Sequence, residues 1–127
     1  MNRPRVSLIV INWNTAADLR SCLRSAEETA RTFPVETIVV DNASMDGSTE
    51  MVRSEFPLVR LIANSENLGF AGAVNQGLRA ASGEYFLVLN ADIVLLPDAV
   101  RRLTERMDAD PSIGAAMPEL MNNDGSR

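Results

Sequence analysis

Three short polar stretches, each directly behind an apolar run, hold the side chains of this sequence that could do chemistry. Asn90-Ala91-Asp92 follows YFLVL at 85–89, Asp41 follows VETIVV at 35–40, and Asn12 and Asn14 follow VSLIVI at 6–11. A fourth stretch, NLGFAGAVN, sets Asn67, Gly69 and Asn75 among small residues and reads as one wall of a pocket. Asp92 offers a hard oxygen at a strand end, which suits a divalent ion such as Mg²⁺ that takes one or two carboxylates and leaves its other positions to water and phosphate oxygens. Asp41 can accept a hydrogen bond from a base N–H, the N3 of a pyrimidine or N1 of guanine. That contact discriminates, because a buried acceptor left unpaired costs about 1–3 kcal/mol. Each aspartate also has a plain alternative: Asp92 turning the chain out of its strand, Asp41 holding its own loop through Ser44 or Ser48.

The elements that must position these groups follow from periodicity. VSLIVI is a β-branched run of buried-strand type, and Leu19, Cys22, Leu23 and Ala26 then recur at helical spacing behind a Thr15/Asp18 pair that resembles a capping box. VETIVV is a second strand, and SMDGS at 44–48 is turn chemistry, with Gly47 free to take positive φ and Asp46 or Ser48 able to cap a short helix through Met51, Val52 and Phe56. Leu58 to Ala63 predicts a third strand. Val74, Leu78 and Ala81 mark the next helix, with Gly83 as its C-cap, and two glycines inside it, Gly72 and Gly77, imply close backbone approach. Tyr85 to Leu89 reads as a central strand covered on both faces, resuming as Ile93 to Leu96; Pro97 opens a helix carrying Val100, Leu103 and Met107, and Ile113 to Met117 offers a fifth strand. Strand and helix alternate four times, so the expected fold is α/β: a mainly parallel sheet covered by helices on both faces, Rossmann-like, in one domain over 1–127. Right-handed crossovers then bring Asn12, Asp41 and Asn90-Ala91-Asp92 to one carboxyl edge, where ligands collect in open α/β sheets.

Composition narrows the chemistry. The 127 residues carry a net charge of −5, and all twelve basic residues are Arg, with no Lys and no His. A nucleic-acid partner is disfavoured for want of a cationic surface. A Walker lysine, a Schiff base, a histidine base and a histidine metal ligand are all excluded. Cys22 stands alone in a helical pattern, a small buried residue rather than a nucleophile. The apolar run near the N-terminus is too short for a signal peptide core or a membrane span, so the chain reads as cytoplasmic. GAVNQG at 72–77 has P-loop glycine spacing, but Leu78-Arg79 stands where Lys-Ser/Thr is required. The turn after the first run, NWNT, lacks the glycines of a dinucleotide fingerprint, and a calcium loop counted from Gly47 puts Arg53 where its glutamate belongs.

Taken together, VSLIVINWN, VVDNASMDGS and NLGFAGAVNQGLRAASGEYFLVLNAD, in this order and at these separations, resemble the nucleotide-sugar-binding half of a family 2 glycosyltransferase of the GT-A fold. The nearest group is the rhamnosyltransferase-like one that builds bacterial polysaccharides. The resemblance implies transfer of a sugar from a TDP-, UDP- or GDP-linked donor to an acceptor hydroxyl of a glycan or lipid-linked molecule, with inversion and with Mg²⁺ or Mn²⁺. It implies that Asn12, Asn14 and Asp41 hold base and ribose. Asn67, Gly69 and Asn75 would line the nucleotide-sugar pocket, with Asn90, Ala91 and Asp92 at the Asp-x-Asp position and Asp92 on the metal. Asn90 replaces the first acid of that motif, and no segment resembles the acceptor half that carries the catalytic base. The chain is therefore expected to be the donor half of a longer protein, inactive alone, able to self-associate through an uncovered apolar face, and membrane-associated if its acceptor is. Two rival readings are a non-catalytic α/β binding or regulatory module and a sugar-nucleotide pyrophosphorylase. NWNTAAD does not resemble the Gly-rich basic loop of the second.

Overall fold

A computed structural model describes residues 3–114. Strand and helix alternate as β1 (Val6–Asn12), α1 (Ala16–Thr32), β2 (Val35–Asp41), α2 (Ser48–Glu55), β3 (Arg60–Ala63), α3 (Gly69–Ala80), β4 (Tyr85–Asn90) and α4 (Ala99–Ala109). The four strands form one parallel sheet in the order β3-β2-β1-β4. β1 and β2 are the interior strands, and β1 is buried at every position. Its side chains alternate between two cores, as period-2 geometry requires. Leu8 and Val10 meet α1, α2 and α4 on one face, through Leu19, Leu23, Val52 and Val100. Ile9 and Ile11 meet α3 on the other, through Ala73 and Leu78. The α/β sheet with helices on both faces is thus the one the alternating pattern predicts.

α3 comes close to the sheet because Gly77 permits it: a Cβ there would fall well inside van der Waals contact of Ile9 Cγ2. Gly83 has another role than the predicted C-cap, since α3 already ends at Ala80. A Cβ on Gly83 would stand 2.7 Å from the Ser7 backbone nitrogen, and its own N–H donates to Ser7 Oγ at 2.9 Å. The Glu36 carboxylate completes this junction by accepting from the Ser7 hydroxyl and, at 2.7 Å each, from the N–H and hydroxyl of Ser82.

Several expectations need correction. β4 is an edge strand among the described residues, not a doubly covered central one: Tyr85, Leu87 and Leu89 face the core, but Phe86 is 50% exposed and Val88 36% on a side α3 does not reach. Ile93 to Leu96 is a loop rather than a resumed strand, anchored by the buried Leu95. α4 begins at Ala99 behind Asp98, whose φ of 66° breaks the chain direction, so Pro97 precedes the helix instead of opening it. Thr15 forms no cap to α1; its hydroxyl donates back to Asn12 Oδ1 at 2.7 Å. β3 is shorter than predicted, starting at Arg60. The proposed fifth strand at 113–117 lies largely outside the described residues.

Candidate functional site

In register, Asn12 lies beside Asp41 and Ile11 beside Asn90, so β1, β2 and β4 end level with one another. The ladder runs one residue further in each case: Asn42 N–H donates to the Asn12 carbonyl, Asn64 N–H to that of Asp41 and Ala91 N–H to that of Ile11. All the polar strand ends therefore share the carboxyl edge. A cleft of about 410 Å³ opens there, lined by Trp13, Thr15 and Asp18 after β1, Asn42 after β2, Asn67, Gly69 and Phe70 at the start of α3, and Asn90, Ala91 and Asp92 after β4. A second groove of about 310 Å³ lies between β4 and α4, walled by Phe86, Leu87, Val100, Leu103 and Met107. Its walls are mainly aliphatic and aromatic, so the site chemistry belongs to the carboxyl-edge cleft.

Of the residues singled out from sequence, Asn67, Gly69, Asn90, Ala91 and Asp92 line this cleft together. Asn75 does not; it sits exposed further along α3. Asn12, Asn14 and Asp41 form a hydrogen-bonded latch behind the cleft. Asp41 is only 1% exposed, and its carboxyl oxygens accept from Asn12 Nδ2 at 2.8 Å, Ser44 N–H at 2.8 Å and Ser44 Oγ at 2.7 Å. Ser44 Oγ in turn accepts from Asn14 N–H at 2.8 Å, and Asn14 Oδ1 accepts from Met45 N–H at 2.8 Å. Asp46 ties the same two loops again by accepting from Ala16 N–H at 2.9 Å, and also accepts from Ser48 N–H at the start of α2. These bonds are the ones the loop-holding alternative for Asp41 describes: its carboxyl oxygens are taken up by donors of the two loops.

The latch holds strained backbone. Asn14 has φ 52° and Ala43 φ 65°, a region costly for a residue with a Cβ, which the surrounding hydrogen bonds must over-determine. Asn42, between Asp41 and Ala43, binds the far wall. Its Nδ2 donates to the Gly69 carbonyl at 3.1 Å, while its Oδ1 accepts from Leu68 N–H at 3.3 Å and Asn64 Nδ2 at 3.2 Å. The ends of β2 and β3 and the entry to α3 are thereby locked together.

Sequence reasoning missed Trp13, Asp18, Asn42 and Phe70. Trp13, the sole tryptophan, is 57% exposed on a polar loop, and that combination was a readable signal for a ligand-facing ring. Asn42 carried a weaker one. At a strand end, alternation sends Asp41 and Asn42 to opposite sides, and sequence does not say which faces the cleft.

Asp18 and Asp92 both line the cleft, and with the Asn90 amide they make an oxygen donor set of the kind that Mg²⁺ or Mn²⁺ shares with phosphates. Among the described residues no group of three or more His, Cys, Asp or Glu side chains forms a self-sufficient metal cage. The donors fit an ion held jointly with a substrate. Beneath them Cys22 is fully buried, and burial, with a smaller contribution from the Asp92 charge, pushes its thiol up to about 12. Such a thiol is inert at neutral pH.

A parallel Rossmann-like sheet with a polar cleft across the carboxyl ends of three strands is the nucleotide-binding architecture of GT-A proteins. Residues 7–125 match the family described as glycosyl transferase family 2, and the chain belongs to that family. The succinoglycan biosynthesis protein ExoO of Rhizobium meliloti is 38% identical over 107 residues, covering 84% of this chain and 30% of its own length. An N-acetylglucosaminyltransferase of Bradyrhizobium elkanii is 31% identical over 93% of this chain and 67% of its own. Among solved structures, the mannosyltransferase PcManGT of Pyrobaculum calidifontis, in complex with GDP-Man and Mn²⁺, superposes with a TM-score of 0.79 at 33% identity, covering 90% of this chain and 35% of that one. S. aureus TarS 1–349 in complex with UDP-GlcNAc shares the fold, with a TM-score of 0.73 at 21% identity. The chain thus spans about a third of the length of the succinoglycan protein and of the mannosyltransferase.

Proposed function

We propose that this chain is the donor-binding half of an inverting, metal-assisted glycosyltransferase of polysaccharide synthesis, of the rhamnosyltransferase-like group. The observation that carries the reading is the cleft itself, which sets Trp13 and the entry to α3 against Asn90 and Asp92 across a single opening. Trp13 offers an exposed aromatic face on which a nucleobase stacks, an interaction worth about 1–3 kcal/mol. No Arg is among the residues that line the cleft, and the chain has no Lys or His. The diphosphate therefore relies on the N–H groups of Phe70 and Ala71 in the first turn of α3, that of Gly69 being taken by Asn67 Oδ1, and on the cation at Asp92. When bound, that cation supplies neutralisation of the departing diphosphate.

In this reading Asn12, Asn14 and Asp41 serve the base and ribose by fixing the Trp13 loop, Asn67 and Gly69 border the sugar-diphosphate, and Asn75 stays outside. The acceptor hydroxyl, of a glycan or a lipid-linked molecule, loses its proton to a carboxylate of a longer protein and attacks the anomeric carbon from the face opposite the diphosphate. Residues 1–127 alone bind donor and do not transfer sugar. Among the described residues no helix is long and apolar enough to cross a membrane.

Titration calorimetry with UDP, TDP and GDP, each with and without Mn²⁺, tests the reading, with Trp13 fluorescence as a second signal. One nucleotide binding better with Mn²⁺ and quenching Trp13 is expected, and Asp92→Asn should remove most of the Mn²⁺ enhancement. If all three titrations are flat, the chain is a binding or regulatory module of another kind.

A further inference from the structure

Asp92 lies on a segment, 91–98, that has neither helix nor strand. Two contacts hold its beginning to the sheet: Ala91 N–H donates to the Ile11 carbonyl at 3.2 Å, and Ile93 N–H to that of Asn90 at 3.1 Å. Its middle is held from elsewhere. Ser25, in the second half of α1, donates its hydroxyl to the Cys22 carbonyl at 2.6 Å and accepts from Leu95 N–H at 3.0 Å. Among the described residues the hydroxyl is the one group whose hydrogen bonds join the α1 backbone to the backbone of this loop. The Leu95 side chain enters the same core cluster as Cys22 and Ala91, and the Asp92 charge acts on the Cys22 thiol, so the loop and the thiol are neighbours.

We propose that Ser25 is a positioning residue for Asp92, setting the loop on α1 so that the carboxylate faces the cleft and the cation that comes with a nucleotide. This rests on the reading of Asp92 as the cation ligand, although the clamp can be tested apart from it. A serine within a helix commonly back-bonds to its own helix, as Ser54 in the last turn of α2 does to the Met51 carbonyl. Ser25 does this and takes a second partner from a segment 70 positions away. Removing the oxygen leaves Leu95 N–H with no acceptor at a part-buried place, which favours loop opening.

The test compares wild type, Ser25→Ala, Ser25→Thr and the control Ser54→Ala, all in the 127-residue chain. The first readout is the rate at which the sole cysteine, Cys22, reacts with iodoacetamide at fixed pH. The second is affinity for the nucleoside diphosphate selected from UDP, TDP and GDP, with and without Mn²⁺. Ser25→Ala should react about tenfold faster, the order expected for one lost part-buried hydrogen bond. It should also lose about tenfold in affinity with Mn²⁺ and little without it. Ser25→Thr, which keeps the hydroxyl, should restore both, and Ser54→Ala should change neither. An unchanged alkylation rate in Ser25→Ala overturns the clamp, whatever the nucleotide result. Faster alkylation with unchanged Mn²⁺-dependent affinity overturns the positioning of Asp92. Should wild type bind no nucleotide, the donor-site reading fails and the positioning role with it, while the alkylation arm still decides whether the loop hangs on Ser25.

Discussion

Replacing Asp41 by alanine removes the acceptor at the centre of the latch between the loops after β1 and β2. Three donors lose an acceptor: Asn12 Nδ2, Ser44 N–H and Ser44 Oγ. The hydroxyl can rotate towards another acceptor and Asn12 Nδ2 keeps only a longer bond to Ser44 Oγ at 3.3 Å, while Ser44 N–H is left without a partner. A buried donor left unsatisfied costs about 1–3 kcal/mol, so the variant should lose about 3 kcal/mol of stability once partial solvent entry is allowed for. For a chain of this size that lowers the melting temperature by roughly 12 °C. Asp41→Asn keeps one acceptor oxygen and should fall between. The assay is thermal melting by circular dichroism, combined with nucleotide titration at a temperature where each variant is folded. Nucleotide affinity should drop only a few-fold in Asp41→Ala, through a looser Trp13 loop, against more than about tenfold in Trp13→Ala, which removes the stacking face itself. A variant melting within about 2 °C of wild type that has lost nucleotide binding altogether would refute this account and restore Asp41 as a direct contact to the base.

Further outcomes follow from the packing and the charges. Gly83→Ala should cost about 2–3 kcal/mol by urea denaturation, because its Cβ meets, besides the Ser7 hydroxyl, the backbone of Val6 and Ser7, which cannot swing aside. Gly77→Ala should cost about 1–3 kcal/mol by the same measurement, since Ile9 sits in the core and can yield only slightly. Burial pushes the Glu36 carboxyl up, but hydrogen bonds from Ser7 and Ser82 outweigh it and hold it below the usual carboxylate range. Its contribution to stability is therefore complete above the ordinary glutamate value and is lost as pH falls through the lower folded value, so Glu36→Gln should flatten the acid side of a melting temperature against pH curve. With its thiol pushed up to about 12, Cys22 should resist iodoacetamide at neutral pH in the folded chain and react readily in urea.

Much of the architecture could be read from periodicity, because each apolar face is built from residues at regular spacing. Leu19, Cys22, Leu23 and Ala26 announced the buried side of α1, and the β-branched run of β1 announced an interior strand. β4 misled for a physical reason: YFLVL is as apolar as a covered strand, yet only Tyr85, Leu87 and Leu89 meet the core, and exposure of Phe86 and Val88 depends on how far α3 extends across the sheet. Termini of elements were harder still, since caps depend on partners distant in sequence. Thr15 turns back to Asn12, and the first N–H of α1 is taken by Asp46 thirty residues on. At the site, strand ends fixed which residues could gather, so Asn90 and Asp92 were placed at the edge where the cleft lies. The roles of Asp41 and Asn42 were not separable, because they turn on which way one side chain points.

The hydrogen bonds that bind the loop of Asn14 to the loop of Ser44 and Met45 bear on how a different base preference could arise. Trp13 cannot be retuned by substitutions in its own loop alone, because Ser44 Oγ, Met45 N–H and Asp46 fix that loop's shape from the neighbouring crossover. Variants that recognise a new nucleotide should therefore come from libraries that diversify positions 13–15 and 42–46 as one linked block, and single-loop libraries should yield mostly unstable proteins.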